Sequence, residues 1–304
     1  MKIKQKLTVT CFGEVLWDVF PTHKKIGGAP LNVALRLQSF GINTHIISKT
    51  GNDKNGKELV QYIKENGLDT TAIQIDQLYK TGCVNVTLDE SGSASYEIEH
   101  PVAWDKIEIT NENVAIVKSS DAFVLGSLAC RDEVTKNTLL SLLKIATFKV
   151  FDVNLRPPFY SMDLLLDLMN RSDFIKCNDE ELLEICNALG FNSVTIIEQI
   201  KFLSQYTQTK QICITKGKDG AILLYNDQFY NNNGYPVKVS DTVGAGDSFL
   251  ATLISHLLNK TNPDKALSFA CAVGALVASK KGANPKLTNS EILDFIKNSH
   301  KKNS

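Results

Sequence analysis

The chain has 304 residues, 43% of them hydrophobic, so it can bury a substantial core and is not expected to be disordered. Lys plus Arg and Asp plus Glu both number 33, giving a formal net charge of zero, so no global positive field favours nucleic acid or an anionic membrane. Its apolar runs fall well short of the ~20 residues that span a bilayer. Glu14 stands directly behind the first apolar run, a pattern typical of a strand and not of a signal peptide. We therefore expect a cytoplasmic protein whose partners are small molecules.

Apolar runs of strand length alternate with helix-like stretches along the chain. The predicted strands are residues 7–12, 45–50, 122–126, 148–153, 173–177 and 211–216. Helical periodicity is clear in residues 32–40, 56–67, 139–146 and 264–282. This alternation predicts βαβ units, and therefore an α/β fold with a mostly parallel sheet covered by helices on both faces.

One predicted hairpin interrupts this alternation. Residues 82–100, GCVNVTLDESGSASYEIEH, form two period-two runs joined by a turn rich in Gly and Ser. Such an insert is either decoration, a dimer contact or a lid, and we interpret it as a lid because inserts on a rigid scaffold tend to carry function. The sequence contains no Pro/Gly-rich linker. We therefore predict one domain, residues 1–304, with an inserted lid.

The segment most indicative of chemistry is DTVGAGDSF, residues 241–249, which precedes an apolar helix. Small residues let successive backbone N–H groups converge, and the positive end of the following helix adds to them, so the turn is suited to an anion such as phosphate. Asp247 falls in the first turn of that helix, where a carboxylate could accept the proton of an attacking hydroxyl. The alternative is that Asp247 only caps the helix.

A second glycine-rich turn, GGAPLN at residues 27–32, also opens a helix. Glycine permits close approach of the backbone to a ligand, and Asn32 offers both donors and acceptors to hydroxyl groups. Upstream, Asp18 follows the first strand, at the edge where open α/β sheets bind ligands. Asp18 could bind two sugar hydroxyls, or it could be an ordinary loop acid.

Taken in this order, GGAPLN and DTVGAGD resemble the two signature segments of the PfkB carbohydrate kinases, also called the ribokinase family. Residues 152–157, DVNLRP, resemble the DxNxR segment of that family. Residues 178–181, NDEE, fit its NxxE motif, and residues 215–220, TKGKDG, resemble its TxGxxG turn. The resemblance spans nearly the whole chain.

The resemblance implies a ribokinase-like three-layer α/β/α sandwich, with a β-lid formed by roughly residues 14–24 and 80–104. It implies that ATP and Mg²⁺ are used, and that Asp247 deprotonates the acceptor hydroxyl. The backbone amides from Gly244 through Ala245 and Gly246 to Asp247 would then hold the charge that develops on the phosphoryl group.

Further roles follow from the same resemblance. Asn178 and Glu181 would organise Mg²⁺ and its waters, although NDEE taken alone is typical of an acidic helix start. The nucleotide would lie along Thr215, Gly217 and Gly220, with residues 270–284 walling the adenine. Many relatives bind K⁺, for which the Asp241 carboxylate and the Val243 carbonyl are the expected ligands. The sugar would contact Asp18, Gly27, Gly28, Asn32 and Arg156, and the lid could form a homodimer.

The segments GEVLWD and GGAPLNVA are most similar to the fructokinase branch, which implies fructose phosphorylated at its 6-hydroxyl. The second lid strand lacks the aromatic and arginine pattern common there: residues 96–105 read YEIEHPVAWD. An acidic lid suits neutral hydroxyls better than a sugar phosphate, which would need Arg or Lys partners. The alternatives are a kinase for another small alcohol, such as ribose, a nucleoside or an aminosugar acid, and a non-catalytic sugar sensor. A sensor would be expected to have lost the base or the anion-binding turn, and both are intact.

Overall fold

The computed structural model describes residues 6–88 and 94–302. The chain divides into two compact units, Met1–Thr147 and Phe148–Ser304, here called the first and the second unit. Each has its own buried apolar core. The assignment of residues 1–304 to one domain stays a prediction.

The first unit alternates strands with helices and carries a separate small sheet. Its strands are β1 (Thr8–Phe12), β2 (Leu16–Val19), β3 (Lys24–Gly27), β4 (Asn43–Gly51), β5 (Ile73–Asp76), β6 (Gly82–Leu88), β7 (Ala94–Ile98) and β8 (Ala122–Gly126). Its helices are α1 (Ala29–Ser39), α2 (Lys54–Glu65), α3 (Asn111–Ser119) and α4 (Glu133–Leu143).

Four strands of the first unit form a parallel sheet in the order β8-β1-β4-β5. Val9, Cys11 and Phe12 of β1 are fully buried, as expected for a parallel strand covered on both faces. The small sheet has the order β3-β2-β6-β7. In it, β2 lies parallel to β6 and antiparallel to β3, while β6 and β7 form an antiparallel hairpin.

The second unit contains the strands β9 (Lys149–Asp152), β10 (Phe174–Asn178), β11 (Gln211–Thr215), β12 (Ala221–Tyr225) and β13 (Gln228–Asn232). Its helices are α5 (Met162–Asn170), α6 (Asp179–Ala188), α7 (Ile196–Thr207), α8 (Ala245–Leu258), α9 (Pro263–Ala278) and α10 (Asn289–Lys302). The strand order is β13-β12-β11-β10-β9. Strands β9, β10 and β11 are parallel, whereas β12 and β13 are antiparallel additions.

The predicted α/β architecture is confirmed. Each predicted strand and helix overlaps an observed element of the same type, and the hairpin predicted over residues 82–100 is present as β6 and β7. Residues 89–93, which include its Gly and Ser turn, lie outside the described residues. In residues 6–88 and 94–302, no helix has both the length and the apolar character that a bilayer crossing requires.

Candidate active site

The helices of this protein begin in two different ways. Most begin with a side chain that accepts a hydrogen bond from a first-turn amide, as Asp53 does for α2 and Asn178 does for α6. Helices α1 and α8 begin instead at Gly28 and Gly244, and neither glycine supplies a side-chain cap. A helix start without a side-chain cap presents its first amides to a ligand. These two starts are the glycine-rich turns that the sequence predicts as binding sites.

Glycine is required at the start of α8. Gly244 has a φ of 74°, in the left-handed region, and an added Cβ would lie 2.6 Å from the Cα of Ala283. The turn before it is held by Asp241, whose carboxylate accepts hydrogen bonds from the amides of Val243 at 3.0 Å and Gly282 at 3.1 Å. A glycine in the left-handed region and a carboxylate thus fix the conformation of this turn.

Asp247 is the third residue of α8, and its side chain is half-buried. The helix cap is Gly244, so the alternative of Asp247 as the capping residue is wrong. The first intrahelical hydrogen bond runs from the Ser248 amide to the Gly244 carbonyl at 2.9 Å, and the Ala245 amide donates to Thr242 at 3.2 Å. The backbone amides of Gly246 and Asp247 precede the first of these intrahelical hydrogen bonds and lie near the Asp247 carboxylate.

The carboxyl ends of β9, β10 and β11 bring a second group of predicted residues together. Asn178 and Thr215 are direct neighbours across β10 and β11. The buried Glu181 carboxylate accepts hydrogen bonds from the Asn178 amide at 2.9 Å and the Leu155 amide at 2.8 Å, and Asn178 Oδ1 accepts one from the Glu181 amide at 2.7 Å. Glu181 thus closes a capping box and ties the loop after β9 to the start of α6. Arg156 follows in that loop, is exposed, and donates to the Leu155 carbonyl at 2.8 Å.

The TKGKDG turn after β11 contains two glycines in different settings. Gly217 has a φ of 54° and open space where a Cβ would stand, whereas a Cβ at Gly220 would overlap the Asn232 carbonyl. Gly220 is therefore needed for the fold, while Gly217 leaves an open surface beside Thr215. Helix α9, which supplies most of the predicted adenine wall, is buried along Ala270–Val273.

Sequence reasoning gave no role to Lys176, a lysine in the middle of the apolar strand β10. It lies opposite Asp152 of β9, and its Nζ donates a hydrogen bond of 2.9 Å to Asp152 Oδ1. Burial lowers the pKa of Lys176, but the carboxylates of Asp152, Glu181 and Asp247 outweigh burial and raise it above its ordinary value. Lys176 is therefore charged at neutral pH. A charged residue inside an apolar strand was the available signal.

In the first unit, the structure brings the predicted sugar-binding residues close to the start of α1. A Cβ added to Gly27 would overlap Asp18 Oδ2, so the carboxylate lies against this glycine. Gly28 has a φ of 112° and passes so close to the Glu14 carbonyl that no side chain fits. Asn32 is buried in the first turn of α1, and its backbone amide donates to the Gly28 carbonyl. Buried Glu14, to which the sequence assigned no function, accepts a hydrogen bond of 3.3 Å from the Ala29 amide.

The donor sets fit loosely held cations better than a dedicated metal cage. The described residues contain no group of three or more His, Cys, Asp or Glu side chains arranged to hold a metal. Glu181 accepts two backbone hydrogen bonds, and an ionised carboxylate has about four acceptor sites. It therefore retains capacity for a water, as fits an Mg²⁺ that keeps most of its waters and binds through nucleotide phosphates.

Comparison with known proteins agrees with these features. Residues 3–289 match the model of the pfkB family carbohydrate kinases. A fructokinase from Solanum tuberosum is 28% identical over 315 residues, which cover 95% of this chain and 95% of that protein. The structure of an uncharacterised sugar kinase from Pyrococcus horikoshii in complex with ATP superposes with a TM-score of 0.82 at 27% identity, covering 96% of this chain and 99% of that one. A fructokinase from Xylella fastidiosa with bound ATP shares the fold, with a TM-score of 0.84 at 24% identity over 96% of this chain and 99% of that one.

Proposed function

Because the chain belongs to the PfkB family of carbohydrate kinases, we propose that it transfers the γ-phosphoryl group of ATP to the 6-hydroxyl of D-fructose. The similarity to a plant fructokinase along 95% of both chains supports fructose. The turn at residues 241–247 carries the proposed chemistry, because it places a half-buried carboxylate beside amides at an uncapped helix start.

Asp247 is the proposed general base. As the sugar oxygen attacks the γ-phosphorus, its proton passes to the Asp247 carboxylate, the bond between the γ-phosphorus and the bridging oxygen breaks, and ADP leaves. Negative charge spreads over the transferred oxygens, and the amides of Gly246 and Asp247 together with the positive end of α8 stabilise it. The Ala245 amide donates to the Thr242 carbonyl and so holds the turn in shape. Gly244 supplies the left-handed residue at which the turn enters α8.

The sugar contacts are proposed for Asp18, Gly27, Gly28, Asn32 and Arg156. Asp18 accepts hydrogen bonds from two hydroxyls, the glycines allow close approach, and Asn32 both donates and accepts. The small sheet is the proposed lid, which closes over the sugar and excludes water from the triphosphate. Its edge strands β3 and β7 are also the proposed homodimer contact, which sedimentation analysis of the full chain would test.

For the nucleotide we propose Asn178, Thr215, Gly217 and Gly220, with Glu181 orienting waters of Mg²⁺. Bound Mg²⁺ neutralises charge on the phosphates. The Asp241 carboxylate and the Val243 carbonyl are the proposed ligands of a K⁺ ion beside the anion-binding turn. Activity measured in Na⁺ against K⁺ salts at equal ionic strength would test that site.

A substrate panel distinguishes fructose from other alcohols. Release of ADP is measured with ATP, Mg²⁺ and either fructose, glucose, ribose, tagatose, adenosine or fructose 6-phosphate. The highest kcat/KM is expected with fructose, and little ADP is expected without sugar. Preference for another member would retain Asp247 as the base but reject the sugar assignment for Asp18 and Asn32. Failure to release ADP with any member of the panel would favour an untested alcohol as substrate, or the non-catalytic sugar sensor.

A further inference from the structure

The ion pair between Lys176 and Asp152 is one of the most deeply buried in the second unit. The side chains are 8% and 6% exposed, and their charged atoms are 2.9 Å apart. Residues Phe174, Ile175 and Cys177, which surround Lys176 in β10, are fully buried and apolar. Removing a lysine and an aspartate from water costs several kcal/mol per ion unless partners compensate. The presence of this pair therefore calls for an explanation.

Lys176 lies against the anion-binding turn. A Cβ added to Gly246 would stand 3.5 Å from Lys176 Nζ, and among the described residues no other heavy atom lies within 4 Å of it outside its chain neighbours and its own helix backbone. The ammonium therefore lies close to this glycine. Three carboxylates from three elements act on this cation: Asp152 of β9, Glu181 of α6 and Asp247 of α8.

A buried Lys–Asp pair in the first unit offers a comparison. In the first unit, Lys49 Nζ lies 2.9 Å from Asp76 Oδ2, with side-chain exposures of 8% and 9%. There the lysine also donates to the Lys106 carbonyl, and Asp76 Oδ1 accepts two backbone amides. In contrast, Asp152 Oδ2 is buried without a hydrogen-bond partner among the described residues. Asp152 is thus less completely hydrogen-bonded than Asp76.

We propose that Lys176 is a positioning residue for phosphoryl transfer, and that it acts through the turn at Gly246 and Asp247. Its positive charge lies beside this turn, next to the position of Gly246. There it stabilises the charge that collects on the transferred oxygens and favours the ionised form of Asp247. Asp152 holds the ammonium in place. This inference rests on the proposed roles of Asp247 and the turn.

The test removes the cation together with its ion-pair partner. The K176M/D152N variant replaces both ions by neutral side chains of similar size, so neither ion of the pair is left buried without the other. The matched control is K49M/D76N, which removes the corresponding pair in the first unit. Thermal unfolding, kcat, the KM values for ATP and sugar, and the pH dependence of kcat are measured for both variants and for D247N.

We expect K176M/D152N to unfold near the parent midpoint and to keep both KM values within about threefold. Its kcat should fall about tenfold or more, less than the ~10²–10³ for loss of a donor that touches the oxyanion. The acidic limb of its kcat profile should move to higher pH, because Asp247 has lost a neighbouring cation. K49M/D76N should retain the parent kcat and profile.

A parent-like kcat and profile for K176M/D152N would overturn the proposal, as would equal losses of kcat in the two double variants. If K176M/D152N does not fold, K176Q/D152N keeps an amide hydrogen bond at the same position and is held to the same expectations. The D247N variant separates the two hypotheses. Parent-like turnover of D247N would reject the proposed base, whereas an inactive D247N beside a fully active K176M/D152N would reject only the role of Lys176.

Discussion

Two alanine substitutions in the same turn should separate its role in folding from its role in turnover. Gly244→Ala places a side chain on a residue with a φ of 74° and puts its Cβ 2.6 Å from the Cα of Ala283. Left-handed backbone costs roughly 1–2 kcal/mol for a residue with a Cβ, and overpacking adds about 1–3 kcal/mol. The free energy of unfolding should therefore fall by about 2–5 kcal/mol, which lowers the thermal midpoint by roughly 4–15 °C.

Gly246→Ala has no such penalty, because its φ is not positive and the nearest heavy atom to a new Cβ is 3.5 Å away. Alanine favours helix by up to about 1 kcal/mol over glycine, so the thermal midpoint should be unchanged or slightly higher. The methyl group would nevertheless obstruct the surface on which the phosphoryl group is proposed to lie. We expect kcat to fall about 10²-fold, the scale of losing one anion-hole donor.

The assay is differential scanning fluorimetry paired with ADP release under saturating ATP and sugar. A Gly244→Ala protein as stable as the parent would refute the strain argument. A Gly246→Ala protein that keeps the parent kcat would refute the assignment of the phosphate to this turn, whatever its stability.

Three further changes separate sugar binding, nucleotide binding and stability. Asp18→Asn should raise the KM for sugar at least about tenfold and leave the KM for ATP unchanged, since it loses a charged acceptor; equal effects on both KM values in steady-state kinetics would contradict the role of Asp18. Glu181→Gln should lower the free energy of unfolding by about 1–3 kcal/mol, because one of the two carboxylate oxygens that accept from backbone amides at 2.8 and 2.9 Å is lost. It should also raise the Mg²⁺ concentration needed for half activity; parent-like values in denaturant unfolding and Mg²⁺ titration would argue against this role. Burial raises the pKa of Asp53, but hydrogen bonds from Thr81 and Gly56 outweigh burial and hold that pKa below its ordinary 3.8. The stabilising contribution of Asp53 is therefore present above pH 3.8 and lost as the pH falls through the folded-state pKa. The destabilisation by Asp53→Ala, about 1–2 kcal/mol at pH 7, should therefore shrink in urea unfolding near pH 3, and a constant difference would contradict the linkage.

The parallel strands and main helices could be predicted because uninterrupted apolar runs and helical periodicity are local signals. Helix α2 shows this well: its predicted terminal glycine, Gly67, has a φ of 81° and follows the last residue of the helix closely. The antiparallel pair β12 and β13 was not predicted, although Asn226 and Asp227 form its two-residue turn with φ values of 49° and 65°. An Asn-Asp pair between two short apolar runs was a readable signal for that hairpin.

Other features depend on contacts between distant residues and were beyond sequence reasoning. Strand β2 pairs with β6, where Trp17 is the partner of Cys83. Because β2 has only four residues, its own sequence carries little signal for a strand. The position of Lys176 in an apolar strand was a local signal, but its partners Asp152 and Gly246 reach it only in the folded chain.

The NDEE segment shows how one pattern can support two readings. The structure makes Asn178 and Glu181 a reciprocal helix cap, which is the plain interpretation of an acidic helix start. The two bonded oxygens of Glu181 still leave acceptor capacity for water, so its proposed role near Mg²⁺ is compatible with the cap. Sequence alone could not show that the Glu181 carboxylate bonds both the Asn178 and the Leu155 amides.

The central claim is that Asp247 is the base of a sugar kinase, and Asp247→Asn tests it most directly. The variant keeps the shape of the side chain, so binding of fructose and ATP, followed by calorimetry, should stay close to that of the parent. Its kcat for ADP release should fall by about 10² or more, the usual contribution of a positioned general base. Turnover near the parent value, with binding intact, would contradict the mechanism.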